Sequence, residues 1–163
     1  MGGSIGEGTT NELRTGRDRD YPSIRQFSIF SPNKVGALQN LVRLIETHRL
    51  RVCALSVSDS AECAIIRLVV THPERAFELL EQDGYAFTEV DLLVVELPNR
   101  PQPTLAICST LLQAEINIQY CFPMTVRPYG RPALAFKVDD HEQASNVLDS
   151  NGFIVLTEND LEA

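Results

Sequence analysis

Ser31-Pro32-Asn33-Lys34-Val35-Gly36-Ala37-Leu38 has an echo further along the chain, Pro98-Asn99-Arg100-Pro101-Gln102-Pro103-Thr104-Leu105, and the correspondence continues beyond both segments. At the same offset Leu41, Ile45, Leu50, Val52 and Ala54 fall on Ile107, Leu111, Ile116, Ile118 and Tyr120. With a drift of only a few residues, Ala76, Leu79, Leu80 and Gly84-Tyr85 correspond to Ala144, Val147, Leu148 and Gly152-Phe153. Thr88-Glu89-Val90-Asp91-Leu92 likewise corresponds to Thr157-Glu158-Asn159-Asp160-Leu161. Matched residue types at nearly constant spacing identify a duplicated unit rather than two α/β halves that share a pattern.

The first copy sets the order of elements. Phe27 and Ile29 alternate with Gln26 and Ser28, which predicts a strand with one buried face that Ser31-Pro32-Asn33-Lys34 stops. Leu38, Leu41, Val42 and Ile45 then recur at helical spacing from a start near Gly36. Val52 to Val57 and Ala64 to Val70 are β-rich runs around a polar turn and read as a hairpin. Pro73 opens a second helix, Gly84 closes it, and Asp91 to Leu97 forms another strand. The unit is therefore βαββαβ, twice over, an α+β fold with antiparallel sheets and helices on one face.

Two helices shield only one face of such a sheet, so a unit of about sixty-five residues leaves the other face to a neighbour. The copies must pack on each other or pair across a dimer. Both faces of the second strand carry apolar side chains (Cys53, Leu55 and Val57 against Ala54), which strengthens that demand. No Gly/Ser linker separates the copies; Asp91 to Leu97 finishes one sheet and begins the next. The expected division is a disordered tail over 1–22, a first domain over 23–92 and a second over 93–163. Five of the nine glycines lie within the first sixteen residues, amid mixed charges and with only Ile5 and Leu13 to offer a core.

With 163 residues, 44% of them apolar, the chain can bury a real core. A net charge of −8 repels phosphate backbones and anionic lipid, so neither nucleic acid nor a membrane is an expected partner. No apolar run is long enough to span a bilayer, and no signal-peptide core precedes the first strand, so a soluble, cytoplasmic protein is expected. Cys53, Cys63, Cys108 and Cys121 form no Cys-x-x-Cys pair and read as buried free thiols in a reducing compartment.

The duplicated βαββαβ order, joined to the Asn-x-x-Gly-x-Leu turn of Asn33 to Leu38, resembles the tandem ACT-domain proteins, small regulatory amino-acid-binding modules. The likeness covers Gln26 to Leu161. It implies a ferredoxin-like fold, a non-catalytic sensor role, association into a homodimer, and a small ligand, commonly an amino acid, near the loop between the first strand and first helix.

The residues of that loop support the same chemistry on their own. A glycine at a helix start lets the backbone approach a ligand, and the unpaired first-turn N–H groups at the positive end of the dipole suit a carboxylate. A dipole contribution of about 0.3–1 kcal/mol is too small to hold an amino acid alone. Asn33, with a donor and an acceptor, is best placed to add to it. Its alternative role is to satisfy its own turn or cap the helix, and that of Gly36 is turn geometry alone. The candidate ligand-binding residues are Asn33, Lys34, Val35, Gly36, Ala37 and Leu38. In the second copy Gln102 stands at the glycine position and Pro103 removes an N–H, so Asn99 and Arg100 are secondary candidates. Arg100 otherwise reads as a solvated charge.

Enzymatic signatures are missing from the sequence. His48, His72 and His141 sit in no metal-ligand spacing, and no nucleophile elbow, Walker loop or dinucleotide fingerprint occurs, so neither metal, cofactor nor catalytic residue is expected. Asp139-Asp140 precedes a helix and reads as a cap. An RNA-recognition motif shares the element order, but Ala64 to Val70 and Ala133 to Val138 are aliphatic where stacking rings are needed. A protein–protein association module without a small ligand is the main alternative; a small ferredoxin-like enzyme is a lesser one.

Overall fold

A computed structural model describes residues 21–32 and 35–163. In chain order the elements are β1 (Ile24–Ser31), α1 (Ala37–Thr47), β2 (Val52–Asp59), β3 (Ala64–Val70), α2 (Pro73–Gln82), β4 (Ala86–Glu96), α3 (Pro103–Gln113), β5 (Ile118–Pro123), β6 (Ala133–Val138) and α4 (His141–Ser150). Short 3-10 turns occupy Pro128–Gly130 and Glu158–Glu162. The tail expected over 1–22 lies, through residue 20, outside the described residues, as do Asn33 and Lys34.

All six strands join one antiparallel sheet, ordered β2-β3-β1-β4-β6-β5. β4 belongs to both copies: Ala86 to Leu92 pair with β1, and Leu93 to Glu96 pair with β6. The strand begins five residues before the Asp91 start that the sequence pattern suggests. Ala86, Thr88 and Glu89 dilute the apolar signal there, and the backbone is held extended by its ladder with β1.

The sheet curls until its two halves lie face to face. Register puts Ile24, Ala54, Val69, Leu92, Val94, Phe122 and Ala135 on the inner face, where they form one shared core. The outer face of the first half packs Phe27, Ile29 and Leu68 against Leu41, Ile45, Ala76 and Leu80 of α1 and α2. The outer face of the second packs Leu93 and Phe136 against Ile107, Leu111, Ala144 and Leu148 of α3 and α4. The paired residues of the repeat thus do paired work: Leu41 with Ile107, Ile45 with Leu111, Ala76 with Ala144, and Leu80 with Leu148 are all completely buried. Even a register irregularity is duplicated, between Val52 and Ala54 in β2 and between Ile118 and Tyr120 in β5.

This arrangement changes one expectation and meets another. β1 is buried on both faces: Gln26 and Ser28 are enclosed because the second half covers the face that alternation assigned to solvent, while Arg25, on the face of Phe27 and Ile29, is enclosed among Glu74, Glu89 and Glu158. The apolar sheet face that called for a neighbour finds it within the same chain. Just beyond β5 the chain also reaches the start of β2: Thr125 N donates to Cys53 O at 2.8 Å and Thr125 Oγ1 to Val52 O at 3.1 Å.

The second copy departs from the first at its end. Instead of a full strand, only Val155 bridges to Val95, and Thr157 to Leu161, matched in sequence to the β4 segment Thr88 to Leu92, turns into the 3-10 segment. The cause is local. Thr157 N donates to Asp160 Oδ2 at 2.7 Å in a capping box that bends the chain away from the sheet. The turn brings Glu158 to Arg25, whose enclosed guanidinium also meets Glu74 at 3.0 Å and Glu89 at 3.4 Å, so the C-terminus is tied to the central strand. At the other end, His141 Nε2 lies 2.8 Å from Pro22 O, which ties the start of β1 to α4.

The four cysteines are free, but only Cys53 is fully buried; Cys63, in the turn before β3, and Cys108 of α3 are half-buried, and Cys121 on the edge strand β5 is exposed. Asp140 caps α4 as the sequence implies, accepting from Gln143 N at 3.1 Å.

Because the inner core belongs to both halves, Phe122→Ala is expected to cost about 3–5 kcal/mol and to leave a single unfolding transition, measured by denaturant melts followed with two probes. Two separate transitions would contradict a shared core. Burial pushes the Cys53 thiol from 9.0 up to about 11, with the nearby charge of Arg51 opposing. The unfolded thiol ionises first, so stability is full below pH 9 and declines as pH rises to about 11. The decline is about 1.4 kcal/mol per pH unit, and the matched curve for Cys53→Ala should lack that component.

Candidate functional site

The loop between β1 and α1 ends at Gly36, the N-cap of α1, with φ +74° in the left-handed region that glycine enters without a Cβ penalty. Gly36 has no side chain with which to cap the helix, and the first backbone bond of its opening turn runs from Asn40 N to Gly36 O at 3.0 Å. The surroundings are open: a Cβ built on Gly36 meets nothing within 4 Å, and Val35 is 88% exposed. Ala37 is half-buried and Leu38 37% exposed. The structure thus places Val35, Gly36, Ala37 and Leu38 at a glycine-led helix start, while Asn33 and Lys34 lie outside the described residues.

The equivalent loop of the second copy follows β4. Gln102 is the N-cap of α3 and takes the same left-handed conformation, φ +52°, ψ +53°, with Pro103 as the first helical residue and again no side-chain cap. The duplicated backbone shape has outlived the glycine. A left-handed non-glycine residue costs about 1–2 kcal/mol, so the second loop keeps its turn under strain. Pro103 supplies no N–H, which leaves this helix start a poorer host for an anion.

What the second loop has instead is a cleft of about 380 Å³ lined by Leu97, Pro98, Asn99, Arg100, Arg131 and Pro132, among others. Arg131, from the turn before β6, was not singled out in the sequence, because only the topology places it beside Asn99. Its Nε contacts the buried Glu96 at 3.2 Å, which neutralises part of its charge. Arg100 is exposed and lies 5.4 Å from the Phe153 ring, a cation–π contact that fixes it without an acid partner. The two helix starts therefore differ: a glycine N-cap in the first copy, and a glutamine N-cap beside an arginine-flanked cleft in the second.

A family model described as an ACT domain pair matches residues 22–163. The chain belongs to that family. Among solved structures, the ACT pair is similar to protein BT0572 from Bacteroides thetaiotaomicron, with a TM-score of 0.77 and 22% identity, over 85% of this chain and 95% of that one. It is also similar to the ligand-free regulatory subunit of aspartate kinase from Thermus thermophilus, with a TM-score of 0.55 and 13% identity, over 80% of this chain and 93% of that one. A structure of aspartokinase alpha and beta subunits aligns with a TM-score of 0.52 and 18% identity, over 78% of this chain and 90% of that one. At these identities the likeness establishes the fold. No curated protein matches the ACT pair in sequence. Among the described residues, no helix is long and apolar enough to cross a membrane, and no group of three or more His, Cys, Asp or Glu could hold a metal ion.

Strain at one loop and freedom at the other predict opposite effects of exchanging their caps. Gln102→Gly should stabilise the ACT pair by about 1 kcal/mol and Gly36→Ala should destabilise it by a similar amount, both read as shifts in the denaturant midpoint.

Proposed function

We propose that this ACT pair is a non-catalytic regulatory sensor, dividing functionally into domains 23–92 and 93–163, that binds an amino acid or similar small carboxylate at residues 33–38 of the first copy. The observation that carries the reading is the left-handed glycine start of α1, exposed among the described residues, in a member of a regulatory family. The N-cap Gly36 offers these first-turn N–H groups no side chain, and a carboxylate is their natural complement. Asn33 and Lys34 would add a bidentate amide and a charge. The aspartate kinase chain that shares this fold is a regulatory subunit, which supports the role without naming a ligand.

An open loop holds a small molecule weakly unless something closes over it. A second copy of the chain is the proposed cover, so that ligand binding and homodimer contacts stabilise one another by mass action, by about 2.7 kcal/mol at a hundredfold excess over Kd. The four free thiols are consistent with a reducing, cytoplasmic setting.

A second reading is an association module with no small ligand. It draws on α3, whose sequence from Pro103 to Gln113 has no charged residue and leaves Leu105 and Leu112 exposed. Thermal shift against the twenty amino acids separates the two. A sensor shows a ligand-specific rise in Tm that Gly36→Val abolishes while the circular dichroism stays unchanged; an association module shows no rise with any of them. An undiminished shift in the Gly36 variant would remove the assigned loop.

A further inference from the structure

The loop in which the second copy departs from the first lines a cleft of about 380 Å³, a volume in the range of small-molecule pockets. Pro98, Asn99 and Arg100 of the β4–α3 loop form one wall, and Arg131 and Pro132, just ahead of β6, form the other. Leu97 N donates to Pro132 O at 2.9 Å and holds the walls together. The charge of this cleft runs against that of the chain around it. Residues 93–163 carry four basic side chains, Arg100, Arg127, Arg131 and Lys137, against nine acidic ones. Two of those four line the one cleft, and among the described residues no acidic side chain lines it.

Each guanidinium is anchored in a way that leaves donors to spare. The buried Glu96 engages Arg131 through Nε at 3.2 Å, which orients the side chain from below and leaves its Nη groups to the cleft. Arg100 lies over the Phe153 ring at 5.4 Å, so one face of its plane is covered while its N–H edge is not. Among the described residues, Arg100 has no carboxylate within ion-pair distance. Backbone donors, by contrast, are scarce. Pro98, Pro103 and Pro132 carry no N–H, and the amides of Leu97 and Arg100 are spent on Pro132 O and Pro98 O. An anion in the cleft is therefore held by side chains, two guanidinium forks and the Asn99 amide, converging from opposite walls.

A carboxylate offers two oxygens in one plane, which a single fork saturates. A phosphoryl group offers three in a tetrahedral array, enough for two forks and an amide at once. We infer that this cleft is a second ligand site, which binds a phosphate monoester of a small organic molecule. Arg100 and Arg131 hold the phosphoryl oxygens from the two walls, Asn99 donates to the third, and Leu97 with the three prolines gives the organic remainder an apolar bed. The bound ester fastens the β4–α3 loop to the turn before β6. The two copies thereby read chemically different molecules, and the inference shares no residue with the site proposed at residues 33–38.

Calorimetric titration of the full chain with glycerol phosphate, ribose phosphate and adenosine monophosphate, beside inorganic phosphate and acetate, tests it. At least one of the monoesters should bind saturably, and about tenfold more tightly than inorganic phosphate or acetate. Arg100→Met removes an exposed side chain without an ion pair and should leave the circular dichroism unchanged while weakening that binding about tenfold; Arg100→Lys, a cation without the fork, should restore only part of it. Gly36→Val should leave it untouched. Failure of all three monoesters to bind, equally tight binding of inorganic phosphate or acetate, or an unaltered affinity in Arg100→Met overturns the inference. Each of these results leaves the β1–α1 loop reading standing, because that reading is decided by the amino-acid thermal shift and its loss in Gly36→Val.

Discussion

One strand cannot be divided between two sheets without making them one. β4 pairs with β1 through Leu92 and with β6 from Leu93, so the ladders of the two copies are covalently in line and their orientation is fixed by the pleat and twist of a single strand. The curl that follows brings the inner faces together, and each half supplies the cover that its own two helices cannot provide. The surface deficit of a small βαββαβ unit is thereby met inside the chain, at the cost of independence: neither half has a complete core alone.

The staples at the ends of the chain follow from the same constraint. Arg25 is enclosed because β1 lies at the centre of the sheet, and an enclosed guanidinium requires acids to compensate its desolvation. Glu74 comes from α2, Glu89 from β4 and Glu158 from the C-terminal turn, three elements that meet only when the whole topology is in place. Such a network contributes little net stability compared with apolar packing, but it registers the ends of the chain against the central strand.

Much of this was legible in the sequence, because duplication turns one weak pattern into two that agree. The repeat fixed the order of elements, the helix starts at Gly36 and Pro73, and the continuity through Asp91 to Leu97. Polar residues concealed the rest. Gln26 and Ser28 look like a solvent face, and only the curl shows that they are enclosed. Thr157 to Leu161 resembles a strand by comparison with its copy, yet Asp160 diverts it into a capped turn. At the candidate loop, the helix start read at Gly36 is where α1 begins, with Gly36 as its left-handed N-cap. Arg131 was invisible because its place in the second cleft depends on chain neighbours far apart in number.

The contact between the segment after β5 and the start of β2 also bears on colloidal behaviour. An open sheet ends in two rows of unused amide donors and carbonyl acceptors, which act as templates for stacking further chains. Here the Thr125 amide and hydroxyl engage Cys53 and Val52, so part of the β2 rim is spent within the chain. At Val52 and Cys53, where β2 begins, an incoming strand therefore finds the carbonyl acceptors already taken.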